Sequence, residues 1–566
     1  MRTVSSQQQK MSIQVRQWRV VLRCLAVILG GFQAWAFRSY MNPDGISYLD
    51  MADGFLRHHW SMIINGYWSP LYPFFLAAGL LFRPSPRWEF TVVHAVNYAV
   101  YLGALVCFEY LLNEILRWQD ARHEESPAGT QGLSAGSWML LGYSLFIWSS
   151  VGQISLKFAT PDMAVAAVVF LAAGKLVHID RTTGTWRTFL ALGVVLGLGY
   201  MVKAVMFPVS VLILVLAATA SDFRKVVPRV ALATVVFVVL AAPWIVSISR
   251  GKGRFTFGDS GRLNYAWLLQ NHHAEFHWQG DLGTQSLPKH PTRKIADTPP
   301  IYEFAQPVGG TYPPWFDPSY WNDGTRPNFT FKAQLRVLAE SARTLYRIFL
   351  QLQGLAIVFF ILYLMGPRSD RGIAKQWRLL MLAVAPCCMY SLVDVEPRYV
   401  APFIVLLWLA LFLAIRQPTH SERAALVHPL IVIAAAILLA NAVIDSTADF
   451  ARYGLKGERA WYQMQEVVAE RLHQMGLRAG DNVVYLGNGY EAYWARLAKV
   501  HIVAESPLAE DNEASTFDGV LRADTLNKFR SLGAKAIVAV KAWPRKDPAN
   551  WERLAGTDYW VYRMFP

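Results

Sequence analysis

Three acidic residues follow the first apolar stretch closely. In MNPDGISYLDMADGFL at 41–56, Asp44, Asp50 and Asp53 fall within about three helical turns of one another. Asp50 and Asp53 are one turn apart. Asp44 lies in a Pro-Asp-Gly turn, where it is expected to cap the following helix by accepting backbone N–H bonds. The same carboxylate, placed where a hydroxyl can reach it, suits a general base. A second Pro-Asp start, in KFATPDMAVA, sets Asp162 at the head of another apolar segment. Its plain role is to complement a helix dipole. Taken together, Asp44 and Asp162 are the candidate catalytic pair and, if a divalent cation takes part, its candidate ligands.

The candidate cations lie elsewhere in the chain. VDVEPRYVAP at 393–402 places Asp394, Glu396, Arg398 and Tyr399 in a short connection between two apolar segments. Charge beside hydrocarbon is costly unless paired or hydrated, so a Glu396–Arg398 ion pair is one expectation. The other is that Arg398 grips a phosphate through two parallel N–H bonds. Lys203, in GYMVKAVMFP, is a second candidate cation, with ordinary snorkelling as its alternative. Tyr48, His59 and Tyr72 are further candidates for substrate contact. Trp60, Tyr67, Trp68, Tyr72, Trp315, Tyr320 and Trp321 suit either sugar-stacking walls or interfacial anchors. His272, His273 and His277 stand in NHHAEFHWQGD, which reads HAEFH rather than HExxH and so does not support a zinc hydrolase.

Positioning these groups falls to a chain that is 54% hydrophobic and 17% charged over 566 residues, more apolar surface than a soluble protein of this size can cover. The composition predicts a polytopic α-helical membrane protein. Apolar stretches near 20–38, 89–116, 137–155, 162–178, 187–203, 206–221, 228–249, 345–366, 378–394, 399–415 and 428–446 give about eleven transmembrane helices. Leu71 to Phe82 is shorter and bracketed by prolines, so it reads as an interfacial or re-entrant helix. The net charge of +14 does not point to nucleic acid, because the Lys and Arg residues sit between apolar segments as topology signals and lipid contacts. Cys24, Cys107, Cys387 and Cys388 lie in or beside apolar segments and give no disulfide framework.

Counting basic residues in short loops places residues 1–19 as a cytoplasmic tail. It leaves 39–88, 250–343 and 447–566 on the outer face. The last of these alternates strand-like DNVVYLG, VHIVA and KAIVAV with helical segments, so a C-terminal extracytoplasmic α/β domain is expected. Its GNG at 487–489 lacks the glycine spacing of a dinucleotide site.

The order and common sidedness of PDGISYLDMADGFL, SPLYPFFLAAGLLF, Asp162, Lys203 and Glu396-Pro397-Arg398-Tyr399 resemble the GT-C superfamily of polyprenyl-phosphate-dependent glycosyltransferases. The branch resembled holds protein O-mannosyltransferases and the aminoarabinose transferase of lipid A. The resemblance covers the membrane part, about 18–446. It implies that Asp44 is the first-loop acid associated with catalysis, that Asp162 is the second acidic position, and that Lys203 and Arg398 meet the carrier phosphate. The family often has two adjacent acids in the first loop, whereas Gly45 follows Asp44 here. That departure bears on any metal.

The expected activity is transfer of a sugar from a polyprenyl-phosphate donor to an extracytoplasmic lipid, protein or glycan acceptor. The expected place is the bacterial inner membrane, with the site on its outer face and the carrier tail beside the 71–82 helix. A multi-span secondary transporter is the alternative, though no internal repeat supports it. An inactive lipid-binding scaffold is the third reading.

Overall fold

The computed structural model describes every residue except 1, 84, 125–129, 221–222, 271–276, 281–285, 298, 305–308, 367–371, 419–421, 457–459, 508–521, 541–549 and 565–566. His272 and His273 lie outside the described residues. The first part of the bundle consists of α1 (Arg2–Ala36), α2 (Pro43–Leu56), α3 (Trp60–Ile63), α4 (Leu71–Leu80), α5 (Glu89–Glu124), α6 (Ala135–Ile147), α7 (Asp162–Thr182), α8 (Trp186–Val202), α9 (Met206–Ala218) and α10 (Phe223–Lys252). After α11 (Ser260–Gln270), α12 (Pro313–Phe316) and α13 (Pro318–Trp321) come α14 (Phe331–Gln351), α15 (Gln353–Met365), α16 (Gly372–Lys375), α17 (Trp377–Ser391), α18 (Pro397–Leu413) and α19 (Glu422–Asp449).

Each apolar stretch expected to span a membrane falls wholly or largely on helix, with 137–155 running through α6 into the π turn at Trp148–Ile154 and 345–366 divided over two helices. Among the described residues five are long and apolar enough to cross by themselves, and α14 with α15 makes a sixth if the bent pair counts as one span. The chain is an integral membrane protein, and the others are shorter apolar helices. One expected span changes shape. The stretch 345–366 is not one rod, because α14 and α15 meet at 72°. Residues 345–351 therefore continue the loop-side helix, and only 353–365 run on as the apolar one.

The C-terminal layer holds α20 (Ala460–Gln474), α21 (Tyr493–Ala498) and α22 (Ala523–Ser531) around a seven-stranded sheet. The segments read as strand-like form β5 (Asn482–Leu486), β6 (His501–Ser506) and β7 (Ala534–Val540), which pair in parallel. β8 (Trp551–Arg553) and β9 (Tyr559–Arg563) extend one edge antiparallel. The other edge comes from the middle loop. There β2 (Arg293–Asp297) and β3 (Pro300–Glu303) add on, with β3 antiparallel to β6. A separate two-residue pairing joins β1 (Thr130–Gln131) to β4 (Gln417–Pro418).

One hydrophobic core runs from α2 and α4, through α12, into β5, β6 and α21. The C-terminal layer is therefore packed onto the loop that follows α1. Its ionic bolt is Arg496, whose side chain is 2% exposed. Its guanidinium donates to Asp50 at 2.7 Å, Asp53 at 2.8 Å and Glu89 at 2.7 and 3.0 Å. Lys499 adds a bond to Glu89 at 2.8 Å, and Arg83 another at 2.8 Å. Asp50 also accepts from the backbone N–H and hydroxyl of Thr311, at 2.7 and 2.8 Å. Such a cluster survives burial because nearly every lone pair and proton in it is matched.

Removing the guanidinium leaves Asp50, Asp53 and Glu89 buried around a void. Arg496→Met is therefore expected to cost about 3–5 kcal/mol, measured as a lowered midpoint of thermal unfolding in detergent, and an unchanged midpoint would contradict the bolt. Acid should act in the same direction. Burial pushes the Asp53 carboxyl up, but the Arg496 and Lys499 charges outweigh it and hold it below the ordinary carboxylate range. A depressed folded value means the contribution is complete above pH about 4 and is lost as pH falls through the lower folded value. Asp53→Asn should flatten that limb of the stability profile.

Candidate active site

Asp44 stands in the first turn of α2, one residue after Pro43. It is not the cap that the turn sequence predicts. Asn42 holds the N-cap position, and its Oδ1 accepts from the backbone of Ala159 at 2.8 Å instead of from its own helix. The Asp44 carboxylate is left to face a cavity, where the Trp315 indole donates to it at 3.2 Å. Burial raises its proton affinity above the usual aspartate range, against the pull of Arg398, the Trp315 bond and Lys203. Gly45 is fixed by space: any side chain there would collide with Met41 and with Ala159. Two adjacent first-loop acids therefore cannot be accommodated in this packing.

Asp162 reaches the same cavity along an irregular path. After α6 the helix widens into a π turn, Trp148–Ile154, and Ser155 takes a left-handed φ of 62°. Residues 155–161 then run through the protein interior, where each backbone group needs a partner. Gln33 accepts from Leu156 N–H at 2.7 Å and donates to the Val151 carbonyl at 3.0 Å. Asn97 donates to the Phe158 carbonyl at 3.0 Å, and the His94 ring lies 2.9 Å from the Leu156 carbonyl. Tyr72 donates to Asn97 at 2.7 Å. Tyr72, 1% exposed, is thus a strut of this scaffold and not part of the cavity wall.

At the end of the path Asp162, itself 3% exposed, accepts from Lys203 at 2.6 Å and faces the Arg398 guanidinium at 3.7 Å. Arg398 pairs with Asp162 where the sequence suggested Glu396. Lys203 lies 3.8 Å above the Tyr399 ring, a cation–π contact, and Arg398 donates to the Tyr399 hydroxyl at 3.3 Å. Burial raises the carboxyl of Glu396, with Asp394 adding to it and the nearby Arg398 opposing.

Asp44, Tyr48, Asp162, Lys203, Arg398 and Tyr399 line one cavity of about 670 Å³, together with Tyr67, Trp68, Trp315 and Asp394. Glu396 lies outside its lining, at the N-cap of α18. His59 is exposed, at the N-cap of the four-residue α3. Of the other aromatic candidates, Trp60 is 62% exposed and Tyr320 stacks on His290 at 4.0 Å. His277 is buried against Glu505 at 2.7 Å.

Sequence reading missed a second cationic wall. Arg254 and Arg262 line the cavity near Asp259; Arg254 makes two bonds to it, at 2.7 and 2.8 Å. No motif marks them, because they sit in the loop after α10 and on α11 and reach the cavity only through tertiary folding. Among the described residues no group of three or more His, Cys, Asp or Glu is suited to hold a metal. Asp162 already faces two cations that a divalent ion would have to displace. The residues fit an anionic ligand and not a metal.

Asp162→Asn removes the acceptor that Lys203 and Arg398 share. Because Lys203 keeps 26% of its side chain exposed, the expected loss is about 1–3 kcal/mol, below that of a fully buried pair. Thermal unfolding checks it, and no change would mean that solvent screens the pair completely.

No family model and no curated protein sequence matches the chain. Its structure does have neighbours. It is similar to the crystal structure of ArnT from Cupriavidus metallidurans in the apo state, with a TM-score of 0.54 at 13% identity, covering 97% of this chain and 98% of that one. The same protein bound to undecaprenyl phosphate gives a TM-score of 0.53 at 13% identity over the same shares. The Archaeoglobus fulgidus oligosaccharyltransferase in complex with Zn and sulfate aligns at 12% identity and a TM-score of 0.41, over 92% of this chain and 68% of that one.

Proposed function

Starting from the GT-C glycosyltransferase fold that the end-to-end overlap shows, we propose that this chain transfers a sugar from a polyprenyl-phosphate donor to an acceptor on the outer membrane face. One observation carries the reading: a carboxylate with raised proton affinity and two cations held by a shared aspartate line the same cavity. The neighbour crystallised with undecaprenyl phosphate supports the donor class.

In the proposed reaction an acceptor oxygen attacks the anomeric carbon. The new C–O bond forms as the bond from that carbon to the carrier phosphate breaks, and the acceptor proton passes to Asp44. Lys203 and Arg398 meet the charge that grows on the departing phosphate. Asp162 acts through them, fixing both cations before substrate arrives. Tyr67, Trp68 and Trp315 offer flat faces to the sugar. The apolar lining comes from Val205 and Pro208 near α9 and from Met389 and Tyr390 on α17. It supports an apolar path for the carrier tail on the α9 and α17 side of the cavity. No step here calls for a metal.

The decisive comparison is mass spectrometry of glycolipids and glycoproteins from cells with and without the protein. A lost sugar and an accumulated polyprenyl-phosphate sugar are expected; an unchanged profile, with a labelled solute taken up by vesicles, would favour a transporter. Asp44→Asn should lower transfer by about 100-fold or more while the protein stays folded and inserted. Retained transfer would remove Asp44 from the chemistry. Because burial raises the Asp44 carboxyl, its ionised fraction falls as pH drops through a value above that of an ordinary aspartate. The acid limb of the rate profile is therefore expected above pH about 4.

A further inference from the structure

Helix α14 shows three distinct faces. Gln334, Val337, Ser341 and Ile348 are buried against the protein. Gln334 accepts from Tyr265 of α11 at 3.3 Å and donates to the Leu392 carbonyl at 3.0 Å, while Ser341 donates to the Ser391 carbonyl at 3.1 Å. These contacts dock α14 on the C-terminal end of α17, the level at which Met389 and Tyr390 line the cavity. A second face is apolar and open. Phe331 is 69% exposed, Leu335 49% and Tyr346 65%, at spacings that keep them on one stripe with Phe349. Beside that stripe runs a third, formed by the exposed cations Lys332, Arg336, Arg343 and Arg347 at intervals of four, seven and four residues.

No described element of the chain covers the apolar stripe, and its occupant must satisfy both neighbours at once. It has to accept greasy side chains along one line and cations along the next. The 72° bend takes α14 off the line of the apolar α15, and a helix that divides into an apolar and a cationic stripe suits the membrane interface and not the bilayer core.

We infer that α14 is a binding surface for anionic phospholipid headgroups, with Phe331, Leu335, Tyr346 and Phe349 seated among the acyl chains and Lys332, Arg343 and Arg347 on the phosphates. Arg336 has a second duty, since it donates to the Leu268 carbonyl at 3.0 Å. This site is separate from the cavity and does not rest on the proposed transfer reaction.

The test uses the full chain in detergent, titrated with phosphatidylglycerol or phosphatidylcholine and read by native mass spectrometry. Preferential retention of phosphatidylglycerol is expected, weakened about fivefold for each cation removed in a Lys332→Gln, Arg343→Gln, Arg347→Gln series. Arg530→Gln with Arg553→Gln, on the C-terminal layer, should leave retention unchanged. Equal retention of the two lipids, or a charge series that changes nothing, would overturn the inference. A second measurement does not depend on the charges: Tyr346→Trp in bilayers of brominated phosphatidylglycerol should be quenched. An unquenched indole would mean that water or a protein partner covers the stripe, and would equally refute it.

Discussion

Burying one guanidinium constrains the C-terminal layer of this protein and the elements it packs on. Arg496 belongs to α21, but the carboxylates that neutralise it belong to α2 and α5. A fully desolvated cation tolerates only a narrow set of positions for its partners, so the C-terminal layer, the first loop and the head of α5 are set by one another. The site inherits that geometry. Asp50 holds Thr311, and the chain from Thr311 leads through α12 to Trp315, which bonds Asp44. Tyr490 of the C-terminal layer contacts the Trp315 ring, with centroids 4.9 Å apart. The C-terminal layer, whose role the sequence left open, thus forms part of the support for the candidate base.

The opposite wall of the cavity is fixed by backbone satisfaction. An irregular segment inside a helical bundle is costly unless its polar groups are paired. Gln33 from α1, Asn42 before α2, and His94 and Asn97 from α5 pair the 151–159 stretch. Those side chains look like isolated polar residues within apolar sequence. Their common purpose is to bring Asp162 to the place where Lys203 and Arg398 converge, so that two like charges are held side by side by the carboxylate between them.

The candidate cavity was partly readable beforehand. Asp44, Asp162, Lys203 and Arg398 were each marked by charge at the end of an apolar segment, and the cavity brings all four together. Tyr72 and His59 are marked in the sequence only by residue type and loop position, and neither quality fixes where a side chain points. Tyr72 became a buried strut and His59 an exposed loop residue. Arg254 and Arg262 went unnoticed for the converse reason. Arginine in a long polar loop carries no local signal, and only the return of that loop over the bundle gives it a cavity to face.

By itself the amino-acid sequence determined the apolar helices, their order and three of the strands near the end of the chain. These follow from hydrophobic runs and periodicity, which act over a few residues at a time. Tertiary structure alone decided that Asp50 and Asp53 bind Arg496 while Asp44 faces the cavity, that Arg398 turns to Asp162, that the middle loop contributes two strands to the distant sheet, and that α14 bends away from α15. Each of those outcomes is a choice among partners far apart in the chain. Such choices are settled by desolvation and close packing, which have no value until the whole chain has come together.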